Sequence, residues 1–241
     1  MKKIALISLL CAVAWSAVAV AQNNKLTSKE KREGWTLLFD GRSFDGWRKY
    51  NATEMAANWI IDDQAMKICQ TEENAKHGYG LDILFDKKKF ANFELSIDWR
   101  ISKGGNSGIF YYVVEYPGKP IYYAAPEIQI LDNWNAPDNK REDHMAGALY
   151  DMLPAVPQNA KPAGEWNNIV IRVKDGKVTH TQNGVKVVEY TLWTPEWYQM
   201  VSKSKFKDWP GFKEGPAKEG YIGLQDHGCD CWFRNIKIRE L

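Results

Sequence analysis

The chain has 241 residues, 32 of them Lys or Arg and 30 Asp or Glu, for a formal net charge of +2. Charge this balanced produces no long-range field, and the basic residues are scattered rather than striped, which argues against nucleic acid as a partner. The anomaly is aromatic: 11 Trp and 11 Tyr, rings whose N–H and O–H groups seek partners when buried.

Residues 1–21 read as a secretory signal peptide. Lys2 and Lys3 form a basic start, Ile4 to Val18 an apolar stretch, and Ala19-Val20-Ala21 a small-x-small cleavage site before Gln22. Cys11 lacks the small residues that precede a lipoprotein attachment site. The expected location is therefore periplasmic or secreted. No later apolar run is long enough to span a membrane, and the remaining roughly 220 residues suit one well-cored domain. Three cysteines follow the signal, Cys69, Cys229 and Cys231. In an exported chain this predicts a disulfide from Cys69 to one of the other two, with one thiol left over. No second Cys or His cluster completes a zinc site around Cys229-Asp230-Cys231.

Residues 22–34 form a polar leader, expected as a frayed tail or a short helix. From residue 35 the signal is β. Phe93, Leu95, Ile97 and Trp99 alternate with Glu94, Ser96, Asp98 and Arg100, the pattern of a half-buried strand. Ile169, Ile171 and Val173 begin a three-stranded meander that turns at Asp175-Gly176 and again at Asn183-Gly184, dipeptides suited to two-residue hairpins. One short helix is expected after Thr194, a fitting N-cap with Pro195 behind it; Trp197, Met200 and Val201 share one face, and Asp208-Trp209-Pro210-Gly211 stops it. The fold class is all-β, two packed antiparallel sheets with one short helix in a single domain over 35–241.

Polar residues then mark a site. In Glu127-Ile128-Gln129-Ile130-Leu131-Asp132, period-two alternation places Glu127 and Gln129 on one face and the two isoleucines on the other, with Asp132 at the strand end. An acid and an amide on a sheet face are costly if buried unpaired, so that face should border a wet cleft. Gly104-Gly105-Asn106-Ser107-Gly108 lets backbone and Asn106 approach a ligand; lacking a following helix and Lys, it is no phosphate loop. Tyr111, Tyr112, Tyr116, Tyr122, Tyr123 and Trp134 offer faces for sugar rings. Asp143-His144 lies in a loop, and His77 and His180 read as structural or solvated. Near the C-terminus, the apolar strand Tyr221, Ile222, Leu224 ends in Gln225-Asp226-His227-Gly228, an acid and a base at the rim of a cleft.

These pieces are similar, in order and over nearly the whole chain after residue 21, to the 3-keto-disaccharide hydrolase family. The segments that carry the resemblance include Gly34-Trp35-Thr36-Leu37-Leu38-Phe39-Asp40-Gly41, Asn106-Ser107-Gly108-Ile109-Phe110, Glu127 to Asp132, Gly147-Ala148-Leu149-Tyr150, Leu224-Gln225-Asp226-His227-Gly228 and Phe233-Arg234-Asn235-Ile236. The chain departs from the family pattern at Cys229-Asp230-Cys231. The resemblance implies a concanavalin-like jelly-roll sandwich, export, and action on glycosides oxidised at C3, so the expected partner is a 3-keto sugar or another carbohydrate.

A C3 ketone acidifies the C2 proton, and the C1 substituent can then leave through an enolate before water adds back. Such a site needs a base, an enolate stabiliser and an acid. His227 is assigned as the base, ordered by Asp226 or Glu127. Arg100, or a divalent cation held by carboxylates, is the stabiliser. Asn106, Gln129 and Gln225, with Tyr111, Asp132 and His144, make up the candidate sugar-binding set. Two rivals stand beside this reading: a conventional glycosidase, which Gln129 disfavours because an amide two residues after Glu127 is neither nucleophile nor acid, and a non-catalytic carbohydrate-binding module.

Overall fold

The computed structural model describes residues 22–70 and 80–241. The expected signal peptide, Cys11 and His77 lie outside the described residues.

In chain order the strands are β1 (Thr36–Leu37), β2 (Trp47–Lys49), β3 (Trp59–Asp62), β4 (Ala65–Ile68), β5 (Ile83–Phe90), β6 (Phe93–Ile101) and β7 (Asn106–Val113). They continue as β8 (Glu127–Leu131), β9 (Asn167–Lys174), β10 (Lys177–Gln182), β11 (Val185–Thr191), β12 (Gly220–Leu224) and β13 (Cys231–Glu240). Two antiparallel sheets result. One runs β11-β10-β9-β6-β13-β4-β3, with β1 added against β13; the other runs β2-β5-β12-β7-β8. This is the all-β, concanavalin-like jelly-roll sandwich that the sequence implies.

The core lies between the sheets and follows the alternation. Phe93, Leu95, Ile97 and Trp99 of β6 are fully buried, facing Ile109, Ile128, Ile130, Ile222 and Leu224 of the five-stranded sheet. Each such side chain contributes about 1.5–3 kcal/mol by leaving water. The meander forms as expected, with Asp175, Gly176, Asn183 and Gly184 all at positive φ in its two turns. Thr194 caps the expected helix, α2 (Pro195–Lys203), its hydroxyl accepting from the Trp197 N–H. The expectation of a single helix is too few. α1 (Ser28–Arg32) and α3 (Pro210–Lys213) are also present.

The leader is docked rather than frayed. Thr27 and Glu30 form a reciprocal capping box at the start of α1. Glu30 pairs with Lys237 of β13, and buried Asn24 exchanges hydrogen bonds with Asn235. The expected disulfide is not formed. The Cys229 thiol donates to the Asn106 carbonyl at 2.9 Å, and Cys231 is buried with its thiol intact.

One feature of β7 decides what the site contains. Tyr112 sits at φ +57°, where β7 and β12 slip register between Tyr221 and Gly223. Tyr111 faces inward in phase with Ile109, and the bulge turns Tyr112 inward beside it and returns Val113 to the outer face. On that outer face a second apolar cluster forms, in which Tyr50, Leu84, Phe110 and Val113 pack under Ile121 and Ala125. Gly223 makes the contact possible, since a Cβ there would lie 2.6 Å from Ile121 Cδ1. The cluster thus seats loop 114–126 over one end of the five-stranded sheet, and the uncovered part of that face is the cleft.

Candidate active site

Glu127 and Gln129 leave β8 on the outer face, as the alternation requires. Gly108 of β7 lies directly across from Gln129, and any Cβ at Gly108 would collide with the Glu127 carboxyl. The glycine in Asn106-Ser107-Gly108 therefore makes room for a side chain rather than for a ligand. Gln225 follows β12 on the same face, its N–H bonded to the Gly108 carbonyl at 2.9 Å. Together Asn106, Glu127, Gln129 and Gln225 floor a depression of about 290 Å³, walled by Tyr122, Tyr150, Trp209 and Lys205, with His227 at its rim. Tyr122 stacks on Trp209 at 5.7 Å, and the Lys205 ammonium lies 4.1 Å from the Tyr150 ring centre.

The floor is polar and incompletely satisfied. Gln129 is fully buried, yet neither end of its carboxamide has a protein partner, and Gln225 Oε1 also lacks one. Buried polar atoms are nearly always paired, so such amides point to a polar ligand. Glu127 is 6% exposed. Burial pushes its carboxyl up to about 8; Lys205 opposes the rise, the charges of Asp82 and Asp138 add to it, and the Gln225 hydrogen bond opposes it. The upward shift favours the protonated carboxylic acid, which can donate, toward neutral pH.

A second depression of about 410 Å³ adjoins the first and shares Tyr122, Gln225 and His227 with it. Asp226 lines this second space. Its Oδ2 accepts from Asn58 Nδ2 (3.0 Å) and the Leu81 N–H (3.3 Å), and its Oδ1 accepts from the Gly228 N–H (3.0 Å). It therefore acts as a positioning residue that holds the turn carrying His227. Its own N–H donates to Asp82 Oδ1 at 2.9 Å. Asp82 is 3% exposed, and burial pushes it up to about 7; the hydrogen bond from Asp226 N–H opposes, the Asp226 charge adds, and Lys49 opposes.

Six of the residues singled out from sequence thus meet in one depression: Asn106, Tyr122, Glu127, Gln129, Gln225 and His227. Four do not belong there. Tyr111 is fully buried between the sheets, its hydroxyl 2.6 Å from that of Tyr190. Arg100 points outward from the other sheet, its guanidinium over the rings of Trp166 (4.9 Å) and Trp232 (4.4 Å). Asp132 ties its loop, accepting from the Gly104 N–H and Asn135 Nδ2, both at 2.8 Å, and from the Trp134 N–H. His144 stands behind the wall, Nδ1 at 2.8 Å from Asp138 and Nε2 at 2.9 Å from Asp151. Those two carboxylates in turn accept from the Tyr150 hydroxyl and the Lys205 N–H. His180 is structural as expected, fully buried and bonded to the Gly147 carbonyl, with burial pushing it down to about 4.

Sequence reasoning missed Asp82, Lys205, Trp209 and Tyr150 as site residues. Only Tyr150 carried a signal, through the Gly147-Ala148-Leu149-Tyr150 segment. Among the described residues no group of three His, Cys, Asp or Glu side chains converges to hold a metal ion.

A polar floor between aromatic walls, on the outer face of a lectin-like sandwich, defines a carbohydrate-active protein. Residues 34–239 match the family described as the 3-keto-alpha-glucoside-1,2-lyase-like domain, and the chain belongs to that family. A 3-keto-disaccharide hydrolase from Bacteroides thetaiotaomicron is 43% identical over 252 residues, 95% of this chain and 87% of that protein. A crystal structure from Parabacteroides distasonis, provisionally named a glycosyl hydrolase, superposes with a TM-score of 0.82 at 31% identity, covering 91% of this chain and all of that one. A Bacillus subtilis protein of galectin-like fold shares the fold alone, with a TM-score of 0.50 at 12% identity over 91% of this chain and 94% of that one. The protein is a carbohydrate-active hydrolase.

Proposed function

We propose that this protein is exported and cleaves 3-keto-glycosides by removing the C2 proton, eliminating the C1 substituent and adding water to the resulting enone. The observation that carries this reading is the buried Glu127 carboxyl on the same floor as the unpartnered Gln129 carboxamide, with His227 at the rim. A buried carboxylic acid kept neutral is a suitable donor to an enolate oxygen, because it stabilises charge that appears only as the C2 proton leaves.

His227 takes the C2 proton. Imidazole needs little retuning to accept a proton near neutrality, and the Asp226-anchored turn fixes where it sits. Glu127, the Gln129 amide and the Lys205 ammonium face the developing charge at O3, a role Arg100 cannot fill from the other sheet. Asn106 and Gln225 hold the remaining hydroxyls, and the Trp209 and Tyr122 rings supply faces for the sugar. The described residues do not fit a carboxylate-held divalent cation, so no step is routed through one.

Incubation of the purified protein with a 3-keto-glucoside and with its unoxidised parent, each with and without chelator, tests the reading. Cleavage of the ketone alone, unchanged by chelator, is expected. Equal turnover of both sugars overturns the elimination route in favour of ordinary glycoside hydrolysis. Binding without turnover of either makes the protein a binding module. Loss of activity with chelator restores the cation.

A further inference from the structure

We infer that the second depression is the subsite for the departing group, and that Asp82 is the acid that protonates the departing oxygen. The inference rests on the elimination reading above and adds the acid which that reading leaves unassigned.

Three observations support it. The two depressions meet at Tyr122, Gln225 and His227, so a molecule held in both has its junction beside the base. The first has Glu127 and the unpartnered Gln129 carboxamide side by side on its floor, and the second has neither. It is lined instead by Lys49, Asn51, Lys119, Tyr50 and Asp82, a mixed polar and aromatic lining suited to a second hydroxylated ring.

The wall of this second space is built rigidly. Arg48 grips Glu115 with two hydrogen bonds of 2.7 Å and reaches Asp86 at 2.9 Å. Glu115 also accepts from the Asn51 N–H, and Asn51 Nδ2 donates to the carbonyls of Tyr116 and Lys119. These contacts pin loop 114–120 to the end of β2. The C2 chemistry requires none of them, whereas a subsite of fixed shape does.

Asp82 is a buried carboxyl lining this space, with no ion pair within 4 Å among the described residues. Its Oδ1 accepts from Asp226 N–H, the residue next to His227, so it borders the junction of the two depressions. It is held protonated further up the pH scale than an ordinary aspartate, which suits it to donate near neutrality. In the forward step His227 removes the C2 proton and the C–H electron pair forms the enolate. As the enolate collapses to C1=C2 with the C3 ketone, the C1–O pair leaves with the oxygen, which takes the Asp82 proton. For the return, the Asp82 carboxylate accepts a proton from water adding at C1, and protonated His227 returns a proton to C2. Both residues end as they began, and one water is consumed.

The test compares two 3-keto-glucosides: a disaccharide, whose departing alkoxide needs a proton, and a 4-nitrophenyl glucoside, whose departing phenolate does not. Asp82→Asn keeps the acceptor for Asp226 N–H. It should lose roughly 10²-fold or more in kcat on the disaccharide, while release of 4-nitrophenolate in a single turnover, which precedes the hydration that Asp82 also serves, stays within about threefold of wild type. Normal release in that turnover also reports that the variant is folded. The exposed Lys119→Ala should raise KM for the disaccharide several-fold and shift that for the nitrophenyl substrate less, because a nitrophenyl ring offers no hydroxyls to the ammonium. Equal loss on both substrates by Asp82→Asn makes Asp82 structural and overturns its role as acid. If that variant does not fold, an unchanged disaccharide KM in Lys119→Ala overturns the subsite, and a raised one supports it. Failure of wild type to cleave either substrate defeats the elimination reading itself, a result separable from all of these.

Discussion

The two outer faces of this sandwich use the same chemical vocabulary to opposite ends. On the eight-stranded sheet, Arg100 and Arg234 lie over Trp166, Lys67 and Arg100 lie over Trp232, and Arg239 lies over Trp35. Its charges pair across strands, Lys67 with Asp230 at 3.0 Å and Arg239 with Glu94 at 3.2 Å. The face is largely closed by these rings and ion pairs, and α1 docks on part of it through Glu30 and Lys237. On the five-stranded sheet, aromatics and charges ring a floor where the Gln129 carboxamide lacks partners and burial pushes the Glu127 carboxyl upward. Residue types do not distinguish the faces. What distinguishes them is what the polar groups rest on: on the eight-stranded face the guanidinium groups lie on rings, even where Arg100, Arg234 and Arg239 each keep a buried Nε without a hydrogen bond, whereas on the five-stranded face both ends of the Gln129 carboxamide are left without a protein partner.

That contrast predicts a graded set of outcomes. The largest is His227→Ala, which should lower kcat on a 3-keto-glucoside by roughly 10²–10⁴-fold, the range for an acid–base group. Binding of the sugar, read by isothermal titration, should persist. Retention of more than a tenth of wild-type kcat would place the base elsewhere and reopen Glu127 for that role.

Glu127→Gln comes next, with about 10²-fold lower kcat, and it carries a pH signature. The folded Glu127 keeps its proton to about pH 8, whereas the unfolded chain releases it near the ordinary glutamate value of 4.5. The folded state therefore binds more protons in between, and stability falls as pH rises through that window. Replacing Glu127 by Gln should flatten the fall and raise the melting temperature at pH 8 relative to wild type. Wild-type activity should also decline as pH passes about 8. A lower melting temperature for the variant at every pH would make Glu127 a structural group.

The smallest effect belongs to the closed face. Arg100→Ala should leave kcat and KM within about twofold and cost about 0.5–2 kcal/mol of stability through lost cation–π contact. A large activity loss at unchanged stability would break the contrast between the faces and return Arg100 to the reaction.

Period-two alternation made most of the framework legible, and it correctly assigned Glu127 and Gln129 to one face and Arg100 to the outward side of β6. Alternation reports which side of its own sheet a residue occupies, not which sheet will bear the cleft. Arg100 was therefore misplaced although its strand and phase were right. Tyr111 failed for a different reason: it was chosen for its ring, although alternation from the core residue Ile109 already sends it inward, and the bulge at Tyr112 changes only the residues from Tyr112 onward. Lys205 and Trp209 reach the wall only because α2 and α3 pack beside the cleft, a tertiary event with no local pattern. Asp82 precedes β5 without an alternating neighbour to set its phase, and only its hydrogen bond from Asp226 N–H reveals its place. The C-terminal Gln225-Asp226-His227 run was readable because three polar groups ending an apolar strand are costly unless they border a cleft.

The central claim, that the open face removes a proton from C2, is tested most directly in deuterated water. Wild-type protein should convert a 3-keto-disaccharide to a 3-keto-glucose bearing deuterium at C2, read by proton NMR at that position, because exposed His227 exchanges the proton it has taken with solvent before returning one to C2. Full cleavage of the disaccharide with the original hydrogen retained at C2 would contradict the account.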